Sequence, residues 1–264
     1  MLEEKMVTLK IDGIEVTVPP GTMILEAAAK AGIKIPTLCH NKRLIPFGAC
    51  RICVVQQKGR RGLVPACFNQ VRNGMEILTN TPEIIQARRT QLQLILIDHA
   101  VECPICDAGG QCQLQNLVYE YGVADNPFKG PKANWPVDHV SPFIERNLNR
   151  CILCGMCVRI DDEVVGANEL SFIGRGRKTK IGTDFDRPMT CEFCGQCVSV
   201  CPVGALNDRI FLHQARVWDL KETQTTCAYC GVGCSLTVGT RGDRILRIRA
   251  KEEMGINQGN LCVK

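Results

Sequence analysis

Eighteen cysteines in 264 residues, most of them spaced two or three residues from the next, constrain this chain more than any other feature. The opening MLEEKMVTLKIDG has no apolar stretch of the signal-peptide kind, and no apolar run is long enough to span a bilayer. In a reducing compartment, C-x2-C pairs hold metal more often than they form disulfides, so the thiols read as ligands and the chain as cytoplasmic. The remaining composition is ordinary for a soluble protein, with 45% hydrophobic and 5% aromatic residues. A net charge of +5 gives no ground for a nucleic-acid partner, and the basic run Arg175-Gly176-Arg177-Lys178 reads as a solvated loop.

Residues 7–18 alternate apolar and polar positions on both sides of Asp12-Gly13, which predicts a hairpin. Thr22 as a cap and Gly32 as a stop bound a short helix that packs on it. Thr81-Pro82-Glu83 starts a second helix, with Ile84, Ile85, Leu92, Ile95 and Leu96 on its apolar side, running towards His99. Residues 125–142 carry four prolines and read as a linker. RCILCGMCV at 150–158 returns as TCEFCGQCVSVCPVGAL at 190–206, an internal duplication with a short α/β insertion between the copies. Near the end, SLTVGTRGDRILRIRA predicts a hairpin turning at Arg241-Gly242-Asp243. The expected architecture is α+β, a string of small domains at 1–80, 81–140, 141–220 and 221–264.

The thiols fall into groups. Cys39, Cys50, Cys53 and Cys67 lie on one long loop and its exit, which suits a [2Fe-2S] cluster needing two ligands on each iron. Cys103, Cys106 and Cys112 are one ligand short of a [4Fe-4S] site, and His99 just before them supplies it; a neutral imidazole raises the potential of such a site. In two-cluster ferredoxins the fourth cysteine of each run ligates the other cluster, so Cys201 completes the set Cys151, Cys154 and Cys157. Cys227, Cys230, Cys234 and Cys262 suit structural zinc or iron, and iron is the reading beside the other groups.

The second copy is left with Cys191, Cys194 and Cys197, and the position that should complete it holds Asp161. Three arrangements satisfy this sequence: Asp161 ligates iron through oxygen, the site holds a [3Fe-4S] cluster, or the loop is vestigial. Asp162 and Glu163 are alternative donors, and a solvated acidic turn accounts for all three carboxylates as well. The chain therefore predicts one [2Fe-2S] and three to four [4Fe-4S] clusters, with every cysteine in use. It has no G-x-G-x-x-G, P-loop, G-x-S-x-G or zincin motif, and no catalytic residue declares itself.

With these motifs in view, the chain resembles the iron-sulfur subunits of NADH-linked oxidoreductases. These are the complex I large subunit, the amino-terminal cluster region of iron-iron hydrogenases and that of NAD-dependent formate dehydrogenases. Cys39 to Cys67, His99 to Cys112 and Cys151 to Cys201 match in order, and TTCAYCGVGCSL with GNLCVK resembles the start of molybdopterin oxidoreductases. The resemblance implies a β-grasp [2Fe-2S] ferredoxin domain, a helical domain whose [4Fe-4S] cluster is held by one histidine and three cysteines, a 2[4Fe-4S] ferredoxin domain and a molybdopterin-oxidoreductase-type [4Fe-4S] domain. It implies an electron-transfer subunit between a flavoprotein NAD(P)H-binding subunit and a separate nickel-iron hydrogenase or formate dehydrogenase, with soluble ferredoxin as a further partner in bifurcating assemblies. It also sets Lys264 where formate dehydrogenases place a lysine between cluster and pterin, although no flavin or pterin domain is present. Two other readings are the front portion of a molybdenum or tungsten formate dehydrogenase cut at Lys264, and a zinc-stabilised scaffold.

Overall fold

The structure is a computed structural model that describes residues 6–138, 141–250 and 255–263. It divides into two compact units, one of residues 1–97 and 114–130, the other of 98–113 and 131–264. The expected segment 81–140 is thus shared between both. No helix among the described residues is long and apolar enough to cross a membrane.

In the first unit, β1 (Val7–Ile11) and β2 (Ile14–Val18) form the expected hairpin, with Asp12 and Gly13 both at positive φ, as a two-residue turn between twisted strands demands. Helix α1 (Ile24–Lys30) follows. Thr22 does not cap it: its hydroxyl donates to Pro19 O, and Glu26 instead reaches back to accept from Met23 N–H at 3.0 Å. Three short strands escaped the sequence reading because none is long enough to show alternation: β3 (Val54–Gln57), β4 (Leu63–Pro65) and β5 (Glu76–Leu78). They extend the hairpin to a sheet of order β2-β1-β5-β3-β4, in which β1 and β5 run parallel. The buried side of α1 (Ile24, Ala27, Ala28) packs with Leu9, Ile11, Val18, Val55 and Ile77. Each large aliphatic side chain so buried contributes about 1.5–3 kcal/mol.

Helix α2 (Pro82–Asp98) carries an unexpected residue in its buried stripe. Between Ile84 and Leu92 sits Arg88, 3% exposed. Its Nε donates to Ile52 O and its Nη2 to Val54 O, both at 3.0 Å, and Nη1 donates to the Tyr121 hydroxyl beyond α3 (Gln113–Glu120) at 2.9 Å. The two carbonyls bracket Cys53, so one guanidinium fixes the backbone on both sides of that thiol.

In the second unit, β6 (Ile144–Arg146) and β9 (Leu206–Asp208) pair antiparallel and enclose the duplicated stretch. Between them lie α4 (Met156–Ile160), a π-helical turn Asp161–Val165, the hairpin β7 (Ser171–Ile173) with β8 (Lys180–Gly182), and α5 (Gln196–Ser199). The predicted terminal hairpin is present as β11 (Ser235–Arg241) and β12 (Arg244–Arg249), and the exposed β10 (Lys221–Thr226) joins it as a third strand.

Replacing Arg88 by leucine strands two buried carbonyls, and the expected cost is about 2–4 kcal/mol. Chemical denaturation of the Arg88→Leu protein should show this lowered stability, with the [2Fe-2S] absorbance lost at lower denaturant than the other clusters.

Candidate metal centres

Cys53 immediately precedes β3 and Cys67 follows β4, so the antiparallel pairing of these strands brings the two thiols together. Their Sγ atoms lie 3.4 Å apart, and Ala66 N–H donates to Cys53 O at 3.0 Å. Cys39 and Cys50 sit on the long irregular loop, with Cys50 N–H donating to Cys39 Sγ at 3.4 Å. The hydrogen bond from Cys67 pushes the Cys53 thiol down to about 7, and the same contact, then burial, pushes Cys67 up. Cys50 is raised first by its contact with Cys39. The donor set fits a [2Fe-2S] cluster.

His99 is buried, and its Nδ1 lies 2.9 Å from Arg150 O. A carbonyl can only accept, so Nδ1 carries the proton and Nε2 is left as the donor atom for a metal. Burial holds the imidazole pKa below its ordinary value, opposed by the hydrogen bond to Arg150 O and aided by the positive charges of Lys132 and Arg150, which favours the neutral, ligating ring. The Arg150 guanidinium in turn donates to Glu102, next to Cys103, at 2.9 and 3.2 Å, and Ala100 N–H donates to Asn149 O at 2.7 Å. The His99–Cys103 turn is thereby stitched to the peptide that leads into Cys151. A second junction lies at Gly204, where an added Cβ would overlap Cys106 Sγ.

The two copies of the repeat share one backbone geometry. Leu153 and Gly155 have φ of 52° and 72°, and their counterparts Phe193 and Gly195 have 54° and 74°. These left-handed residues turn each loop around its sulfurs, and Leu153 N–H donates to Cys151 Sγ at 3.4 Å. Cys151, Cys154, Cys157 and Cys201 line one small cavity. A second is lined by Cys191, Cys194, Cys197 and Asp161. Each copy thus sends the last member of its run to the other copy's cavity. Burial raises the thiols of Cys157, Cys191, Cys197 and Cys201, and moves Cys151 up to about 11. Among the described residues no three His, Cys, Asp or Glu side chains converge on a single-ion site. Four donors around each of two cavities, each drawn from both copies of the repeat, suit polynuclear clusters.

Cys227, Cys230 and Cys234 occupy the connection from β10 to β11, closed by Cys227 N–H donating to Cys234 O at 2.8 Å. Asn257, five residues before Cys262, accepts from Ser235 N–H at 2.9 Å and donates to Ser235 O at 3.2 Å, which ties the segment carrying Cys262 to the residue after Cys234. Gln196 Nε2 donates to Leu261 O at 3.0 Å, tying this segment to the loop of Cys194 and Cys197. Arg247 packs 4.8 Å over the Phe211 ring, donates to Gln111 next to Cys112, and is lowered to about 10 by burial. Sequence reasoning singled out none of Arg88, Arg150, Gln196 or Arg247. Only Arg88 left a trace, a charge at the i+4 position between two apolar residues. Lys264 lies outside the described residues, and Asp162 and Glu163, unlike Asp161, are not buried.

Comparison with known proteins divides the chain at the same motifs. Residues 4–82 match the 2Fe-2S iron-sulfur cluster binding domain, 88–127 the NADH-ubiquinone oxidoreductase-G iron-sulfur binding region, 141–207 the ferredoxin-like domain of NADH-quinone oxidoreductase subunit 3, and 220–264 the molybdopterin oxidoreductase Fe4S4 domain. The chain is 44% identical over 262 residues to a G-type subunit of NADH-quinone oxidoreductase from Rhizobium meliloti, covering 98% of this chain and 31% of the relative. It is 40% identical over 258 residues to the NADPH-Fe(3+) oxidoreductase subunit alpha of Geobacter sulfurreducens, covering 98% and 30%. The chain therefore spans about a third of the length of these curated relatives. A chain in the crystal structure of an NAD+-reducing [NiFe]-hydrogenase in the H2-reduced state superposes with a TM-score of 0.74 and 30% identity, over 80% of this chain and 91% of that one.

Two substitutions probe the centres. His99→Cys should keep the iron of its site while lowering its midpoint potential by on the order of 100 mV in a potentiometric EPR titration. Gly204→Ala replaces no donor, yet should displace Cys106 Sγ and alter the EPR signal of that same cluster while the [2Fe-2S] signal stays unchanged.

Proposed function

Since the chain belongs to the family of iron-sulfur chains represented in the NAD+-reducing [NiFe]-hydrogenase and, over about a third of their length, in the NADH-quinone oxidoreductase G subunits, we propose that it is an electron-transfer unit. Its metal ligands are Cys39, Cys50, Cys53 and Cys67 for a [2Fe-2S] cluster; His99, Cys103, Cys106 and Cys112 for a [4Fe-4S] cluster; Cys151, Cys154, Cys157 and Cys201 for another; and Cys227, Cys230, Cys234 and Cys262 for a third. When bound, such clusters accept and release one electron at a time.

The observation that carries this reading is the stitching of neighbouring donor groups through the peptides beside their ligands: His99 to Arg150 next to Cys151, and Gln196 next to Cys197 to Leu261 next to Cys262. Such bonds keep donor groups of the second unit at fixed separation and supply short through-bond paths between them. The chain's own work is to hold donors, exclude water and orient the His99 ring; it contributes no acid, base or nucleophile. Its partners are a flavoprotein that binds NAD(P)H and a separate hydrogenase or formate dehydrogenase subunit, with ferredoxin as a further donor or acceptor. The nicotinamide-linked names of the relatives support such a complex, and the flavoprotein follows from chemistry, since oxidation of a nicotinamide delivers two electrons together and needs a flavin to separate them.

Anaerobically purified protein should contain about 14–18 iron atoms per chain with matching acid-labile sulfide, the total expected of one two-iron and three or four four-iron clusters. Dithionite should bleach it stepwise, whereas NADH should bleach it only when a flavoprotein is added. Zinc in place of iron, or no labile sulfide, would overturn the proposal.

A further inference from the structure

The fourth side chain of the second repeat cavity is an oxygen donor already half engaged. Asp161 is 8% exposed and lies at the start of the π-helical turn, whose wider winding departs from the continuous helical run of α4. Its Oδ2 accepts from Leu170 N–H at 2.8 Å. Glu169 N–H also hydrogen-bonds to the carboxyl group, and because an ionised carboxylate has about four acceptor positions, these bonds hold it in place and still leave acceptor positions beside the cavity it lines. Asp161 shares that cavity with Cys191, Cys194 and Cys197, just as Cys201 shares the other with Cys151, Cys154 and Cys157. An acid there as a mere solvated turn would face water, and a vestigial loop would have no reason to keep three inward thiols beside a buried carboxylate.

We propose that Asp161 ligates, through a carboxylate oxygen, one corner iron of a fourth cluster whose other three corners are held by Cys191, Cys194 and Cys197, and that this corner is selectively removable. The inference rests on reading the Cys191 loop as cluster-binding. A carboxylate is a harder and less covalent ligand for iron than thiolate, so the corner it holds is the one that leaves first. On mild oxidation the [4Fe-4S]2+ form gives [3Fe-4S]+, one Fe2+ and one electron, the electron passing to the added oxidant. The three-iron form keeps all of its sulfide and all three thiolates, so iron added under reducing conditions restores the corner. The site thus responds to oxidant and to ferrous iron, which an all-cysteine site in the same position would not do so readily.

The test compares the full-length protein, purified anaerobically, with Asp161→Asn, Asp161→Cys and Cys191→Ala. Asn keeps an oxygen that can accept from Leu170 N–H while removing the charge, so it preserves the local fold. After treatment with a slight excess of ferricyanide, the unaltered protein should release one iron per chain and develop the EPR signal of an oxidised three-iron cluster. Ferrous iron with dithionite should abolish that signal. Asp161→Asn should show the three-iron signal before any oxidant is added, and Asp161→Cys should resist the same treatment. If Asp161→Asn matches the unaltered protein before oxidation, or Asp161→Cys loses iron as readily, Asp161 is not the ligand. If Cys191→Ala leaves iron and spectra unchanged, the loop holds no cluster and the underlying reading fails with it.

Discussion

Thiolates gathered into one dry pocket repel each other and have given up their water, so a chain that gathers them needs positive charge at the centre of each group. This constraint governs the molecule. Burial raises the thiols around both repeat cavities, and close sulfur contacts act on Cys53 and Cys67 in the first loop. A bound cation favours the thiolate form at such sites, so metal affinity and thiol ionisation are linked.

The two units meet that demand differently. The first has a conventional hydrophobic core, with α1 packed on a five-stranded sheet, and one buried arginine carries the order of that core to the cysteine loop. In the second, most strands are three residues long and the donor groups are joined by polar stitches: Arg150 to Glu102, Gln196 to Leu261, Asn257 to Ser235, Arg247 to Gln111. Small modules with little apolar material rely on metal for much of their stability, and hydrogen bonds from peptide groups near the sulfurs also tune potential. The same bonds serve folding and electronics.

The duplication shows how one sequence change becomes local chemistry. Two loops with matching backbone angles exchange their last donors, and one of those donors is an oxygen instead of a sulfur. The hydrogen bond from Leu170 gives that oxygen a fixed position. The two cavities therefore differ in the chemistry of one lining residue, a carboxylate in one and a thiol in the other.

The first and last hairpins, helices α1 and α2, and the sharing of one cavity by Cys151, Cys154, Cys157 and Cys201 and of another by Cys191, Cys194, Cys197 and Asp161 were legible in the sequence, because spacing along the chain determines which side chains one loop can present and which faces a strand or helix buries. Strands β3, β4, β5 and β10 were not, since three or four residues are too few for a period, and the exposed β10 has no buried face to announce it. Nor were Arg88, Arg150, Gln196 and Arg247, whose roles depend on carbonyls, acids or amides tens of residues away. Ligand identity is a local property that residue type and interval determine. The pairing of a loop with a distant peptide, and the burial that makes His99 neutral and encloses Asp161, arise only when remote segments pack, and there the tertiary structure alone decided.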